Sequence, residues 1–289
     1  MNDFLLSVLL GIVEGLTEFL PVSSTGHLRL VEALFHLNLH DSFWKMYTIV
    51  IQLGAILALP VYFWNRILKF LSTFPKGERG NRNLLTHPLS LTMIAFVVTA
   101  APAWALHKKI GENLEKLWVI ALSLLIGGVV MWIVDAVFTR PRVVHMEEMS
   151  LPQAIWIGAC QILSAVFPGT SRSMSTIAAG QVAGLSRAAA LEFSFFLSMP
   201  TMAVATLYDF YKTVKPSREN ATEGAIAPLT MDTHGWIVLA IGFIISFVVA
   251  LGVVAWFMQW VRSRGFAPFA IYRIVLGSVL VILLVRGLI

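Results

Sequence analysis

The sequence predicts an all-α integral membrane protein, built as an inverted-topology repeat with about six transmembrane helices and two re-entrant helix–loop–helix hairpins. Three observations predict this fold. Of the 289 residues, 57% are hydrophobic and only 13% are charged, whereas a soluble domain carries about 25% charged residues. Six apolar stretches are long enough to span a bilayer, which takes about 20 residues. Two further apolar segments are each broken in the middle, and they resemble each other.

The six candidate spans are separated by polar loops. The loop 211–235 is long and polar, and its composition predicts a disordered segment. The spans cover roughly 43–64, 88–107, 117–139, 188–210, 236–260 and 266–286.

The two broken segments cover residues 4–35 and 152–184, and Pro, Gly, Ser and Thr interrupt each of them. Each half is too short to cross a bilayer. Irregular backbone at membrane depth is tolerated only where protein or an aqueous cavity satisfies it. We therefore interpret both segments as re-entrant hairpins, with a kinked full span as the alternative.

An internal duplication is indicated by the match between "GIVEGLTEFLPVSST" and "GACQILSAVFPGTSR". At an offset of 147, Gly11 matches Gly158 and Pro21 matches Pro168. The same offset places Ser24 on Ser171 and Ser23 on Thr170. The sequence thus predicts one membrane domain, 1–289, made of a first repeat of about 1–140 and a second of about 150–289.

The repeats are expected to be inverted, because three candidate spans follow each hairpin and an odd number reverses the second half. Inverted repeats place their site near the midplane, where the hairpins meet. The distribution of charge among the loops weakly favours one orientation in the membrane. If the first hairpin and both termini are outside, the inner loops 65–87, 140–152 and 261–265 carry nine Lys and Arg residues against seven in the outer loops.

The composition also limits which binding partners and cysteine-based sites are possible. The net charge is +5 and the pI is about 9.5, but in a membrane protein Lys and Arg sit in loops and fix orientation, so no nucleic-acid partner is expected. The single cysteine, Cys160, excludes an intrachain disulfide and a zinc site made of cysteines.

Glu14 and Glu18 are four residues apart in an apolar helix, so both project from one face. Like charges at this spacing repel, and burial adds a desolvation cost. A divalent cation, a basic partner or protonation of one carboxyl would offset this. Oxygen ligands favour Mg²⁺ or Ca²⁺, and we interpret the pair as a metal site.

The motif "PVSSTGH" follows directly. Pro21 is expected to stop the first helix, and a hydroxyl of Ser23, Ser24 or Thr25 to cap the next. The free N–H groups of that helix start, with Gly26 beside them, suit a phosphate. His27 follows Ser24 by three residues, and a hydroxyl near an imidazole suggests a nucleophile with an acid–base partner.

The second hairpin carries "PGTSRS" at the corresponding position. Arg172 supplies a fixed cation with planar donors suited to phosphate, and it lies in the middle of the broken segment rather than at a span end. The neighbouring Thr170, Ser171 and Ser173 supply hydroxyls. With the two carboxylates and the imidazole, this inventory predicts phosphoryl transfer on a lipid-anchored substrate.

Other polar residues in or near the spans are less informative. Asp135 is interpreted as interfacial, Gln52 and Tyr272 are candidates for hydrogen bonds that support the site, Glu192 is expected to support the second hairpin, and Arg273 receives no role.

The segments "GIVEGLTEFLPVSSTGH" and "PGTSRSMST" resemble the signatures of the bacterial undecaprenyl-pyrophosphate phosphatases, the bacitracin-resistance family. "EFSFFLSMP" and "PFAIYRI" are similar to family segments too, so the resemblance runs nearly end to end. It implies a multi-pass enzyme of the bacterial inner membrane that removes the terminal phosphate of undecaprenyl pyrophosphate and recycles the lipid carrier of cell-wall synthesis. It also implies a required divalent cation, a site facing the periplasm, and bacitracin that competes for the substrate rather than binding the protein. A homodimer is left open.

The resemblance maps the family's carboxylate pair onto Glu14 and Glu18, its motif serine and histidine onto Ser24 and His27, and its phosphate-binding arginine onto Arg172. Two mechanisms stay open. In the first, Ser24 attacks phosphorus and His27 or Glu18 takes its proton. In the second, His27 attacks phosphorus or activates a water molecule, and Ser24 only orients the phosphate. We favour the first.

Two other functions compete. A transporter for the polyprenyl phosphate lipid could use the same inverted-repeat site, but it would not need the glutamate pair, Ser24 and His27 together. A type-2 phosphatidic acid phosphatase would need a histidine at a fixed spacing after Ser171 and Arg172, and the sequence has none there.

Overall fold

The computed structural model describes residues 2–35, 42–78, 80–114, 116–214 and 232–287. Within them the chain is helical, and its only pairing of extended backbone is an isolated bridge between Val143 and Leu185. A short 3₁₀ turn, Met146–Glu148, precedes the second half of the chain. The α-helices are α1 (Asp3–Thr17), α2 (Ser24–Leu34), α3 (Ser42–Tyr62), α4 (Trp64–Thr73), α5 (Pro88–Ala105), α6 (His107–Leu114), α7 (Leu117–Val137), α8 (Leu151–Val166), α9 (Arg172–Val182), α10 (Arg187–Val214), α11 (Thr233–Arg264) and α12 (Ala267–Val285).

Five of these helices are long and apolar enough to cross a membrane, namely α5, α7, α10, α11 and α12. The helices α3 and α4, which are bent by 61° relative to each other, make a sixth if the pair is counted as one span. These elements coincide with the six predicted spans. The prediction of an all-α integral membrane protein is confirmed. The predicted disordered loop lies largely outside the described residues, since 215–231 is not among them.

Both predicted hairpins are helix–break–helix units. The first helix ends at Thr17, before Pro21, and the second hairpin breaks after Val166. In each unit a serine with positive φ precedes the inner helix: Ser23 at 74° and Ser171 at 70°. Such backbone is costly for a residue with a side chain and is found mainly at functional sites.

The structure corrects the register of the duplication at this point. The inner helices begin at Ser24 and Arg172, an offset of 148, because the second break contains one more residue after its proline. By position, therefore, Ser23 corresponds to Ser171 and Ser24 to Arg172. The matches of Ser24 with Ser171 and of Ser23 with Thr170 are wrong.

Each half of the chain presents a hairpin followed by three long helices, and the two halves interlock. The outer helix of each hairpin packs on the second long helix of the other half: α1 on α11, and α8 on α5. Glycines permit this approach. A methyl group on Gly11 would lie 2.9 Å from the Gly242 carbonyl, and one on Gly158 would lie 2.5 Å from the Ala95 carbonyl. This order supports the division into repeats of about 1–140 and 150–289, which stays a prediction.

Asp135 lies near the end of α7 and joins four elements. Its carboxylate is buried and accepts from Arg187 Nε at 2.6 Å, from Gln181 Nε2 at 3.2 Å and from the Phe266 backbone N–H at 3.0 Å. These donors belong to α10, α9 and the start of α12. Removing one partner of this network would leave buried groups unpaired, which costs more than the loss of an ion pair on the surface.

Replacing Asp135 by asparagine should lower the free energy of unfolding by about 3 kcal/mol, because one amide NH₂ then faces a donor inside the protein. Thermal unfolding of the purified variant in detergent measures the loss. Glu112→Gln is the matched control, since Glu112 and its partner Lys109 are half exposed, and it should change stability by less than about 0.5 kcal/mol. Equal effects of the two substitutions would contradict the prediction.

Candidate active site

Glu18 is the residue at which the two hairpins meet. Its Oε2 accepts from the Ser24 hydroxyl at 2.6 Å, and its Oε1 accepts from Arg172 Nη2 at 3.2 Å. Both partners of the ion pair are buried, with side chains 3% and 10% exposed. A carboxylate and a hydroxyl of the first hairpin and a guanidinium of the second hairpin are thus in one hydrogen-bonded group.

The end of α1 places the glutamates. Glu18 directly follows the helix, keeps helical backbone angles, and donates its N–H to the Glu14 carbonyl at 2.9 Å. The predicted shared face therefore exists. Glu14 is 1% exposed and lies near enough to Arg172 for their charges to interact.

The two breaks are stabilised by their own hydroxyls. Ser23 Oγ accepts from the Gly26 N–H at 3.3 Å, and Ser171 Oγ accepts from the Met174 N–H at 3.4 Å, so each serine caps an inner helix. Ser173 reaches from one hairpin to the other, donating to the Leu20 carbonyl at 3.0 Å. The N-termini of α2 and α9, with their positive dipole ends, consequently lie at the same place.

Arg172 has hydrogen-bond donors besides the one that binds Glu18. Its Nη2 binds Glu18, while its Nε and Nη1 are buried and form no hydrogen bond with any described residue. Buried donors are normally satisfied, and a guanidinium presents them in a planar fork that matches phosphate oxygens. The site is therefore built to accept an anion.

His27 faces another direction. Its Nδ1 lies 2.7 Å from the Ser23 carbonyl, which can only accept, so Nδ1 carries the proton. Nε2 then accepts from the Tyr272 hydroxyl at 2.6 Å. Both ring nitrogens are engaged away from Ser24, whose hydroxyl binds Glu18. In this geometry the base within reach of Ser24 is Glu18.

A cavity of about 680 Å³ opens above this group, between α5 and α10. Polar side chains of both hairpins line one part of it, and α5, α6 and α10 contribute most of the remaining, largely apolar wall. Such a space suits a charged head group with an apolar chain. The lining from the hairpin loops comprises Glu18, Ser23, Ser24, Thr25, Pro168, Gly169, Ser171 and Arg172; the wall includes Phe96, Ala100, Ala103, Trp104, Ile110, Leu114, Met202, Val204 and Ala205.

Most, though not all, of the predicted site residues come together here. Of the described residues proposed to act in catalysis, metal binding or phosphate binding, Glu18, Ser23, Ser24, Thr25, Ser171 and Arg172 line the cavity; Glu14, Gly26, His27, Thr170 and Ser173 lie outside its lining. Tyr272, the partner of His27, was anticipated as a supporting residue. Arg273, which contacts both hairpin breaks, was not.

Glu14 and Glu18 are the residues of this site that could hold a hard cation. Within the described residues, no three His, Cys, Asp or Glu side chains form a group that could hold a metal. Two buried carboxylates, Glu14 and Glu18, fit Mg²⁺, which is commonly held by one or two carboxylates with phosphate oxygens and water completing the shell.

The chain matches a model of one protein family along most of its length. The model is described as bacitracin resistance protein BacA, and it covers residues 7–279. Relatives named undecaprenyl-diphosphatase are similar as well. The chain is 64% identical to one from Koribacter versatilis over 278 residues, 96% of each chain, and 38% identical to one from Caldanaerobacter subterraneus over 290 residues, 100% of this chain and 99% of the relative. It is 42% identical to one from a Bradyrhizobium species over 292 residues, 99% of each chain.

Proposed function

Because the chain belongs to the bacitracin resistance protein BacA family, we propose that it is an undecaprenyl-diphosphatase, an integral membrane enzyme that hydrolyses undecaprenyl diphosphate to undecaprenyl phosphate and inorganic phosphate. One observation supports this most: the Ser24–Glu18–Arg172 group lies in a cavity whose remaining wall is largely apolar. The diphosphate would bind at the hairpins, with the prenyl chain between α5 and α10.

In the proposed reaction Ser24 is the nucleophile. Its Oγ attacks the terminal phosphorus while its proton passes to Glu18, which already accepts that hydrogen bond. The bond from phosphorus to the bridging oxygen breaks, and undecaprenyl phosphate leaves. Water then hydrolyses the phosphoserine, releasing inorganic phosphate and restoring Ser24.

Arg172 stabilises the transferring group. Its Nε and Nη1, which have no hydrogen-bond partner among the described residues, are available to the equatorial oxygens of the terminal phosphate. Charge stabilisation of this kind, prearranged and shielded from water, is usually the largest single contribution to catalysis. The N-termini of α2 and α9 add to it.

Glu14 and Glu18 would hold a Mg²⁺ or Ca²⁺ ion. When bound, the cation would neutralise charge on the bridging and terminal oxygens of the diphosphate. The two roles of Glu18 are compatible, because each carboxylate oxygen has two lone pairs.

The protein is a multi-pass membrane protein, and we propose the bacterial inner membrane with the cavity open towards the periplasm. Loop 65–87 carries five Lys and Arg residues and loop 140–152 carries two, and this charge favours a cytoplasmic position for both. The first of them precedes α5, whereas α6, which lines the cavity, follows the other end of α5. The cavity thus extends towards the side of the membrane opposite to loop 65–87.

A lipid carrier of the same architecture is not favoured. Binding and release of a phosphate head group need the cation and the helix ends. They do not need a hydroxyl hydrogen-bonded to a carboxylate at 2.6 Å beside them.

Phosphate release tests the proposal. Purified protein in detergent, given undecaprenyl diphosphate and Mg²⁺, should liberate one inorganic phosphate per lipid and leave undecaprenyl phosphate, detected by mass spectrometry. A chelator should stop the reaction, and added Mg²⁺ should restore it. Retention of the intact diphosphate lipid on the protein with no phosphate released would overturn the enzyme function.

A further inference from the structure

Arg273, on α12, is the largest of the fully buried side chains among the described residues. None of the ion pairs formed by those residues includes it. A charged group at membrane depth is costly unless it is satisfied. Such a residue within a spanning segment therefore calls for a function.

The two terminal nitrogens of the guanidinium donate to three backbone carbonyls, while its buried Nε has no hydrogen-bond partner among the described residues. Nη1 donates to the Pro21 carbonyl at 3.1 Å; Nη2 donates to the Gly169 carbonyl at 3.0 Å and to the Ser123 carbonyl at 3.2 Å. Pro21 lies in the break of the first hairpin and Gly169 in the break of the second, where backbone groups lack helical partners. One side chain thus binds both breaks and ties them to α7.

Helix α7 is shaped to admit this side chain. A methyl group on Gly127 would collide with Arg273 Nη2 and lie 2.8 Å from Met174 Cε. The guanidinium cannot move aside without breaking its hydrogen bonds to the three carbonyls. Gly127 therefore offers a way to disturb Arg273 without changing it.

We propose that Arg273 is a positioning residue that fixes the first hairpin, which carries Glu18 and Ser24, against the second, which carries Arg172. Pro21 lies three residues from both Glu18 and Ser24, and Gly169 lies three residues before Arg172. The inference rests on the proposed function, because the distance that it fixes is the one between nucleophile and phosphate-binding guanidinium. A displacement of about 1 Å between reacting groups can cost about 100-fold in rate.

Three variants test the catalytic consequence. Arg273→Met removes all three contacts, Arg273→Lys keeps the charge without the planar fork, and Gly127→Ala displaces the intact guanidinium. We expect kcat to fall about 100-fold for Arg273→Met and about 10-fold for the other two, with KM changed less than about threefold. Arg262→Met, at an exposed arginine, and Gly252→Ala, at a helical glycine with open space, are the controls and should keep the wild-type rate.

Hydrogen exchange separates positioning from a general structural role. Peptides that contain 19–24 and 167–172 should exchange faster in Arg273→Met and Gly127→Ala, whereas α11 should be unchanged. Faster exchange throughout the protein, or a kcat within about twofold of wild type in Arg273→Met, would overturn the inference. Absence of phosphate release by the wild type would instead defeat the proposed function, and the exchange measurement would still decide whether Arg273 holds the two breaks.

Discussion

Replacing Ser24 by alanine is expected to reduce hydrolysis of undecaprenyl diphosphate at least about 1,000-fold, the scale seen when a nucleophile is removed. The reason is geometric. Ser24 lines the cavity, and its hydroxyl is hydrogen-bonded to a buried carboxylate that can take the proton. Steady-state phosphate release by the purified variant measures the effect. Ser263→Ala, at an exposed serine on α11, is the matched control and should be fully active.

The same measurement decides between serine and histidine. Both nitrogens of His27 are engaged by Ser23 and Tyr272, so we expect His27→Ala to lower the rate less than Ser24→Ala does. If Ser24→Ala keeps more than about a tenth of wild-type turnover while His27→Ala is inactive, the nucleophile is the histidine or a water that it activates.

A trapped intermediate gives independent evidence. After acid quench during turnover, labelled terminal phosphate should appear on the peptide that contains Ser24 and should be absent in Ser24→Ala. Label on the His27 side chain would assign the nucleophile differently. Turnover at wild-type rate with no phosphoprotein at any time point would favour direct attack by water.

Local patterns were sufficient to predict the spans and the breaks. An apolar run of about 20 residues has few stable alternatives to a spanning helix. Proline, glycine and hydroxyl residues in the middle of such a run indicate a break for the same reason. The exact ends were less predictable: α1 stops at Thr17 rather than at Pro21, because a helix end depends on tertiary contacts as well as on local residue preference.

The contacts inside the site were not predictable from spacing. Sequence distance suggested His27 as the partner of Ser24, yet the one-residue difference between the breaks places Ser24 and Arg172 at equivalent helix starts, where both reach Glu18. That difference appears only when the positive φ of Ser23 and Ser171 is known. Charged residues such as Arg273 gave no signal either, because their partners are backbone carbonyls.

The cavity is lined mainly by one of the two helix pairs that the predicted repeat relates to each other. In the predicted repeat, α3 corresponds to α10 and α5 to α11. The helices α3 and α11 are in direct contact, and Ser246 donates to the Ile51 carbonyl at 2.7 Å between them. Their counterparts α10 and α5 also contact each other, and both line the cavity.

Arg172→Ala should abolish turnover, with a loss of about 1,000-fold or more, because an arginine on a transferring phosphoryl group contributes about 10³ to 10⁵ in rate. Arg172→Lys is the more informative change. It keeps a cation beside Glu18 but replaces a planar fork by a single ammonium, which cannot satisfy Glu18 and two phosphate oxygens in the same geometry. We expect about 100-fold lower kcat for the lysine variant.

Binding and stability must be measured alongside the rate of Arg172→Lys, because a buried Glu18 without its partner could also loosen the fold. Inhibition by inorganic phosphate reports on the anion site directly. The lysine variant should keep the wild-type unfolding temperature within a few degrees and lose affinity for phosphate. Arg262→Lys, which exchanges the same residue types at an exposed position, should change neither quantity. Full kcat with wild-type phosphate inhibition in Arg172→Lys would mean that charge alone suffices, and the role assigned to Nε and Nη1 would be wrong.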